Sequence, residues 1–274
     1  MASSRFEKQC NKKIAVMGDN CIDLYPDLGV YYVTGNAVDT AVNLATEGIP
    51  TSIITTIADD HYGREVMEIL RSHSVDVSHV RIVHGQTAIT YMSMEGTERV
   101  HGTYIEGVLQ NMVFGEEDIM FASSHDLVHT AFWGKAEEAI KEIKRMNPAI
   151  FTSYDFADRL TSSRITEMDS FIDIGFFSYS HKDNYIKHFL NERVSRGMKI
   201  AIATLGENGS LAFDGEQFCE CGIIPTEVVN TVGAGDSFIA GFLAAYVTTG
   251  DVFLSLEEGA LLASRIISVF EPWI

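Results

Sequence analysis

Basic side chains are scarce in this sequence. Its 20 Lys and Arg stand against 38 Asp and Glu, a formal net charge of −18 at pH 7. So acidic a chain excludes nucleic acid as a partner, because phosphate backbones need clustered cations. It also constrains any nucleotide chemistry: a bound triphosphate must be neutralised largely by backbone N–H dipoles and a divalent cation. Long hydrophobic runs are missing too. None approaches the roughly 18 residues that a membrane span needs, so no membrane partner is expected. The first 13 residues, MASSRFEKQCNKK, are polar and lack a signal-peptide core. The expected compartment is the cytoplasm, and residues 1–12 read as a disordered or expression-derived tail. Cysteine is sparse: Cys10, Cys21, Cys219 and Cys221 lie scattered, as free thiols rather than a disulfide framework. Cys219-x-Cys221 has no second ligand pair at zinc spacing and reads as a strand edge. With only 5 Pro, 22 Gly and 46% hydrophobic residues over 274 positions, one large α/β domain over residues 13–274 is expected.

What is present is alternation. Short apolar runs at 13–19, 51–58, 126–132, 149–155, 171–177 and 199–204 read as strands. Helical patterns at 35–48, 63–72 and 135–146 lie among them, with Ala37, Val38, Ala41, Val42 and Ala45 inward on the first. Strands and helices at this spacing predict a mostly parallel sheet covered on both faces. Between 87 and 104 the pattern changes to a hairpin around Glu95-Gly96. With residues 30–34 it forms a small extra sheet, a natural lid. Lids exclude water from phosphoryl transfer.

The segment with most chemical content is Asn230-Thr231-Val232-Gly233-Ala234-Gly235-Asp236-Ser237-Phe238. Phe238, Ile239, Phe242, Leu243 and Tyr246 fall at helical spacing, so a buried helix begins near Gly235. Its first-turn N–H groups and dipole make an anion site, which glycines let a phosphate approach. Asp236 repels an anion there unless it has a task, and taking a proton from an attacking hydroxyl is that task. The helix N-terminus is expected to hold its pKa low. The plainer reading is an Asp that caps the helix. Three further clusters accompany it. Thr204 to Ser210, with Gly206 and Gly209, follows a strand at the carboxyl end where open α/β sheets bind ligands, or is a simple hairpin turn. Asp19 and Asp23, at the end of the first strand, are acceptors suited to a polyol or are turn residues. Asn36 and Asp39 sit one turn apart at a helix start, where capping is the plainer role.

In this order, G-D-x-x-x-D, a G-N helix start, a lid hairpin, T-L-G-x-x-G and N-T-V-G-A-G-D-S-F-x-A-G-F resemble the ribokinase-like PfkB carbohydrate kinases over residues 13–271. The resemblance implies a three-layer α/β/α fold with a central mostly parallel sheet and a small β-sheet lid. It implies that Asp236 is the base and that Gly233, Ala234, Gly235 and the Asp236 N–H cradle the transferring phosphoryl. Thr204, Gly206 and Gly209, with Gly233 and Gly235, border ATP. Asp19, Asp23, Gly35, Asn36, Asp39 and lid residue Arg99 meet the sugar. ATP and Mg²⁺ are the implied cofactors, a monovalent cation is a further candidate, and a homodimer through the lid is the candidate assembly. The sequence departs from the family at Thr34, where a glycine is usual, and at Asp39, where an Asn is usual. Asp183 is the nearest carboxylate to a missing N-x-x-E pattern that helps organise magnesium.

Stretches such as Gly18 to Pro26, Val128 to Gly134 and Ser153 to Asp158 resemble the members of that family that act on sugar–amine adducts, and the resemblance implies such a substrate. Fructoselysine, phosphorylated on its 6-hydroxyl, leads. The alternatives are a related kinase for another ketose or a nucleoside, and a non-catalytic nucleotide- or sugar-binding homologue altered at Thr34 and Asp39. A dinucleotide-binding dehydrogenase is disfavoured, because Gly18-Asp19-Asn20 stands where G-x-G-x-x-G belongs.

Overall fold

Strand β1 (Ile14–Met17) shows how the main sheet is buried. Ile14 and Val16 enter one hydrophobic core and Ala15 and Met17 enter the other, all four without solvent exposure. This is the two-residue period of a strand covered on both faces. The structure, a computed structural model, describes residues 11–95 and 98–273, less the side chains of residues 95, 98 and 99. After β1 come β2 (Cys21–Tyr25), β3 (Val30–Thr34), α1 (Asn36–Thr46), β4 (Thr51–Ala58), α2 (His61–Ser72) and β5 (Asp76–Val83). The hairpin β6 (Ile89–Glu95) and β7 (Glu98–Ile105) precedes α3 (Glu116–Ser123), β8 (Leu127–Ala131), α4 (Glu137–Met146) and β9 (Phe151–Asp155). The chain continues through α5 (Ser163–Met168), β10 (Ile174–Ser178), α6 (Asn184–Ser195) and β11 (Ile200–Thr204). It closes with β12 (Ser210–Phe213), β13 (Phe218–Cys221), α7 (Ala234–Thr249) and α8 (Val252–Ile266).

Nine strands form the main sheet in the order β13-β12-β11-β10-β9-β8-β1-β4-β5. The seven from β11 to β5 pair in parallel, and only β12 and β13 run antiparallel at one edge. Helices α1, α2, α7 and α8 cover one face. Helices α3, α4, α5 and α6 cover the other. The expected strands and helices all appear, with ends moved by a few residues. Ala45 is only partly buried, at the frayed end of α1.

The second sheet is the expected lid, with one addition. Its order is β3-β2-β6-β7, so β2 occupies an interior position, antiparallel to β3 and parallel to β6. Residues 18–23 therefore do not simply end the first strand. Three residues, 18–20, carry the chain from the main sheet into the lid, and Asp23 is a lid residue. The crossing is pinned by buried Asn20, whose Nδ2 donates to Thr55 Oγ1 at 3.0 Å and to the Thr56 carbonyl at 2.8 Å. Cys21, Cys219 and Cys221 are free thiols, and the last two lie on the edge strand β13 as expected; Cys10 lies outside the described residues.

Helices α7 and α8 meet at two glycines. A Cβ on Gly241 would lie 2.6 Å from the Glu258 carbonyl oxygen, and one on Gly259 2.8 Å from that of Phe238. This backbone-to-backbone approach fixes the helix that carries Asp236.

Candidate active site

Two glycines set the heads of the helices that meet at the site. Gly233 precedes α7 with φ 76°, and a Cβ there would meet Pro272 Cα at 3.1 Å. Gly35 precedes α1 with φ 118°, where a Cβ would stand 2.7 Å from Asn20 Cα. Both the left-handed backbone and the close approach require glycine. The loop before α7 is tied by Asn230, which donates through Nδ2 to the Phe270 carbonyl at 2.8 Å and accepts the Val232 N–H at 3.0 Å. So held, α7 brings Asp236 against α1, where Asn36 Nδ2 donates to Asp236 Oδ1 at 2.9 Å.

The anion cradle is open in part. The Ala234 N–H turns to the Thr231 carbonyl at a long 3.3 Å. The Gly233 and Gly235 amides have no acceptor among the described residues. A Cβ on Gly235 would meet nothing within 4 Å. The space over this turn is therefore free for a ligand.

Two cavities join there. One, of about 1010 Å³, lies beneath the lid and is lined by Asp19, Asp23, Thr34, Gly35, Asn36, Asp39 and Asp236. The other, of about 1160 Å³, is lined by Thr204, Gly206, Gly209, Ala234, Phe238 and residues of α8 such as Ala263 and Ser264. They share Gly235, Thr231, Val228 and Ser178. The expected sugar-side residues line the first cavity and Thr204, Gly206 and Gly209 the second, with Gly235 at the junction; Gly233, expected to border ATP, lines only the lid-side cavity. The side chain of Arg99 lies outside the described residues. The Thr204–Ser210 segment has both of its expected characters: it turns the chain from β11 into antiparallel β12, and it borders the second cavity.

The lid-side cavity is a nest of carboxyls. Asp19 accepts the Asn36 N–H through Oδ2 at 3.2 Å, while its buried Oδ1 has no partner among the described residues. Asp39 accepts the Thr34 hydroxyl through Oδ2 at 2.7 Å, and its Oδ1 is likewise buried without a partner. Loss of hydration raises the pKa of both, and for Asp39 the neighbouring Asp236 charge adds to the rise. Asp236 departs from expectation. Burial pushes its carboxyl up to about 7, outweighing the Asn36 hydrogen bond and its place in the first turn of a helix. A carboxyl poised near neutrality can take a proton and release it again.

Asp155 belongs to this nest; it falls in the Ser153–Asp158 stretch, but no site role was expected of it. It ends β9 inside the same cavity, and burial raises it to about 6. Its position at the carboxyl end of a parallel strand is the signal that marks it. Trp133, from the Val128–Gly134 stretch, and the lid residues His101 and Tyr104 also line this cavity, with no site role expected of them. Asp183 caps α6, accepting the Ile186 N–H at 3.1 Å, and accepts the Tyr179 hydroxyl at 3.1 Å.

Comparison with known proteins places this geometry. The family model described as pfkB family carbohydrate kinase matches residues 12–272. Fructoselysine 6-kinase of Escherichia coli is 37% identical, over 96% of this chain and all of that one. The fructosamine kinase of Bacillus subtilis is 27% identical over 94% of this chain and 92% of its own. Among solved structures, ribokinase of Arabidopsis thaliana complexed with ribose and ATP superposes with a TM-score of 0.82 at 19% identity, covering 95% of this chain and 94% of that one. The ribokinase fold with its small second sheet is thereby shown, and the chain belongs to the pfkB family of carbohydrate kinases, phosphotransferases that act on a sugar hydroxyl.

Proposed function

We propose that this chain uses ATP to phosphorylate the primary hydroxyl of a sugar–amine adduct, converting fructoselysine to fructoselysine 6-phosphate. The observation that carries the reading is the position of Asp236, on the turn where the two cavities share Gly235. A sugar in the lid-side cavity presents its hydroxyl to Asp236, and a triphosphate in the other extends its terminal phosphoryl over the Gly233–Gly235 turn. Asp236 takes the hydroxyl proton as the sugar oxygen bonds to phosphorus and the bond to the ADP oxygen breaks. Phosphoryl transfer depends on positioning and charge neutralisation, and the open amides and the head of α7 supply part of both.

The choice of an amine-bearing sugar rests on charge. Five carboxyls line the lid-side cavity, Asp19, Asp23, Asp39, Asp155 and Asp236, and no Lys or Arg lines it among the described residues. Such a cavity repels sugar phosphates and suits a substrate carrying an ammonium group. The Escherichia coli relative, by its name, acts on a substrate of that kind.

Magnesium fits this site as an ion held mostly by the nucleotide and water. No cluster of three metal-binding side chains occurs among the described residues. Asp155, which ends β9 within the lid-side cavity, would be a protein carboxylate for it, and binding the ion would favour the ionised form against the effect of burial. When bound, the ion neutralises phosphate charge. The cytoplasm, where ATP is supplied, is the compartment this reading requires, and no helix among the described residues is long and apolar enough to cross a membrane. A homodimer through β3 and β7, the outer strands of the lid, belongs to the same reading.

The test is ADP release with Mg²⁺-ATP against fructoselysine, other fructosamines, fructose, ribose and adenosine. Fructoselysine is expected to give the highest kcat/KM. Preference for fructose, ribose or adenosine refutes the adduct reading. ATP binding without turnover on any of them refutes the kinase reading and favours a binding protein.

A further inference from the structure

The Thr34–Asp39 pair replaces the usual glycine and Asn, and its geometry suggests why the site tolerates the change. Asp39 is 1% exposed yet lines the sugar cavity. One oxygen, Oδ2, is fixed by the Thr34 hydroxyl at 2.7 Å. The other, Oδ1, is buried with no partner among the described residues. The charged groups that bear on it are carboxyls from three elements: Asp236 of α7, Asp23 of lid strand β2, and Asp19 of the link after β1. On the lid side the cavity's remaining titratable groups are His101, Tyr104 and Cys21. A buried carboxylate facing other carboxylates without a paired cation is untenable, and such a group keeps its proton.

We infer that Asp39 works as a neutral carboxylic acid, whose Oδ1–H donates to a hydroxyl of the bound sugar while Thr34 fixes the carboxyl plane. A protonated carboxyl has one donor and one acceptor in the plane of its carbon, the same pattern an Asn amide offers. Thr34 and Asp39 together thus reproduce the donor that an Asn supplies, with one difference. The donor disappears when the proton leaves. Thr34 is a positioning residue and Asp39 a substrate-binding one. The inference rests on the proposed sugar site, and it adds a protonation state to that site. Burial and the adjacent carboxyls act in the same direction, raising the pKa of Asp39 well above the ordinary range.

Two measurements test it, one without turnover. In infrared difference spectra across a pH titration, the full chain is expected to show the carbonyl band of a protonated carboxylic acid at neutral pH. Asp236, Asp155 and Asp19 contribute to the same region, so the Asp39 component is the one that Asp39→Asn deletes and Thr34→Val shifts, with Thr34→Ser restoring the position. In kinetics with fructoselysine at saturating Mg²⁺-ATP, wild-type KM should climb as pH rises past neutrality, because the donor is lost. Asp39→Asn, with a permanent amide donor, should flatten that climb. Asp39→Leu should raise KM by about tenfold or more at every pH, the scale of one lost hydrogen bond to a buried polar group. A wild-type-minus-Asp39→Asn difference spectrum without a protonated-carboxyl component at neutral pH, or an Asp39→Asn pH profile that follows the wild type, overturns the inference. Because the band is read without catalysis, an inactive panel refutes the kinase reading while leaving the protonation of Asp39 decided by the spectrum.

Discussion

Asn36 and Asp236 lie 200 positions apart in the chain and 2.9 Å apart in the fold, the amide Nδ2 of one donating to the carboxyl Oδ1 of the other. This bond joins the heads of α1 and α7, and with them the two halves of the site. Because the carboxyl is crowded by protein, its proton affinity is set here rather than by the helix alone.

Replacing Asp236 by Asn should abolish the proton acceptor while keeping its shape. Turnover is expected to fall by at least about 10²–10⁴, the range for a positioned base. ATP affinity, measured by calorimetry, should stay within a few-fold. A variant with near-wild-type kcat shows that some other group takes the proton.

The rate should carry an acid limb. Asp236 must be ionised to accept a proton, and burial has raised it to about 7, so kcat rises with pH through that value and falls below it. The Asn36 bond favours the ionised form, so Asn36→Ala should move the limb upward by about one pH unit. A pH–rate profile with sugar and ATP saturating reads both. A limb that stays in place, or moves downward, shows that Asn36 does not govern the carboxyl.

Gly235→Ala separates folding from chemistry. The added methyl meets no atom within 4 Å and the backbone has no left-handed φ, so the melting temperature should scarcely change. The same methyl stands at the junction where the phosphoryl is to lie, so kcat should drop about a hundredfold, the scale of a lost oxyanion donor. Gly35→Ala, whose Cβ would press on Asn20 Cα at 2.7 Å, should instead lower stability as well.

His129 gives a stability prediction remote from the chemistry. It lies in β8, bound through Nδ1 to Ser153 Oγ at 3.0 Å, and burial lowers its pKa to about 3. The unfolded chain then binds a proton at higher pH than the folded one does. Stability from this group is complete above the unfolded value of about 6.5 and drains away as pH falls toward 3. The total is on the order of 3–5 kcal/mol. Urea unfolding of His129→Gln between pH 4 and 7 should show a shallower pH dependence than wild type, whatever its absolute stability. An unchanged slope excludes His129 as its source.

Much of this was legible in residue order. The two-residue burial period of β1, the β-branched run of β4 and the apolar spacing of α7 each state a local structure that tertiary packing then keeps. The anion turn was readable because glycines before a helix have few other uses at that density. What escaped has physical reasons. Strand β2 follows β1 after three residues and is mostly apolar around Asp23, so its transfer to the lid is invisible until Asn20 finds Thr55 and Thr56. The partly exposed edge strand β5 lacks clean alternation. Asp155 lies in the Ser153–Asp158 stretch, but its place in the site shows only when parallel strands align their carboxyl ends. The high pKa of Asp236 reverses the expectation from the helix dipole, because crowding by distant segments is a property of the assembled cavity.

The glycine contact between α7 and α8 also has a consequence for biosynthesis. Gly241 needs the backbone of residues 258–259 against it, so the final helix must be translated before α7 finds its seat. A chain stopped before α8 therefore lacks the surface that seats Asp236, and with it both the proton acceptor and one wall of the sugar pocket.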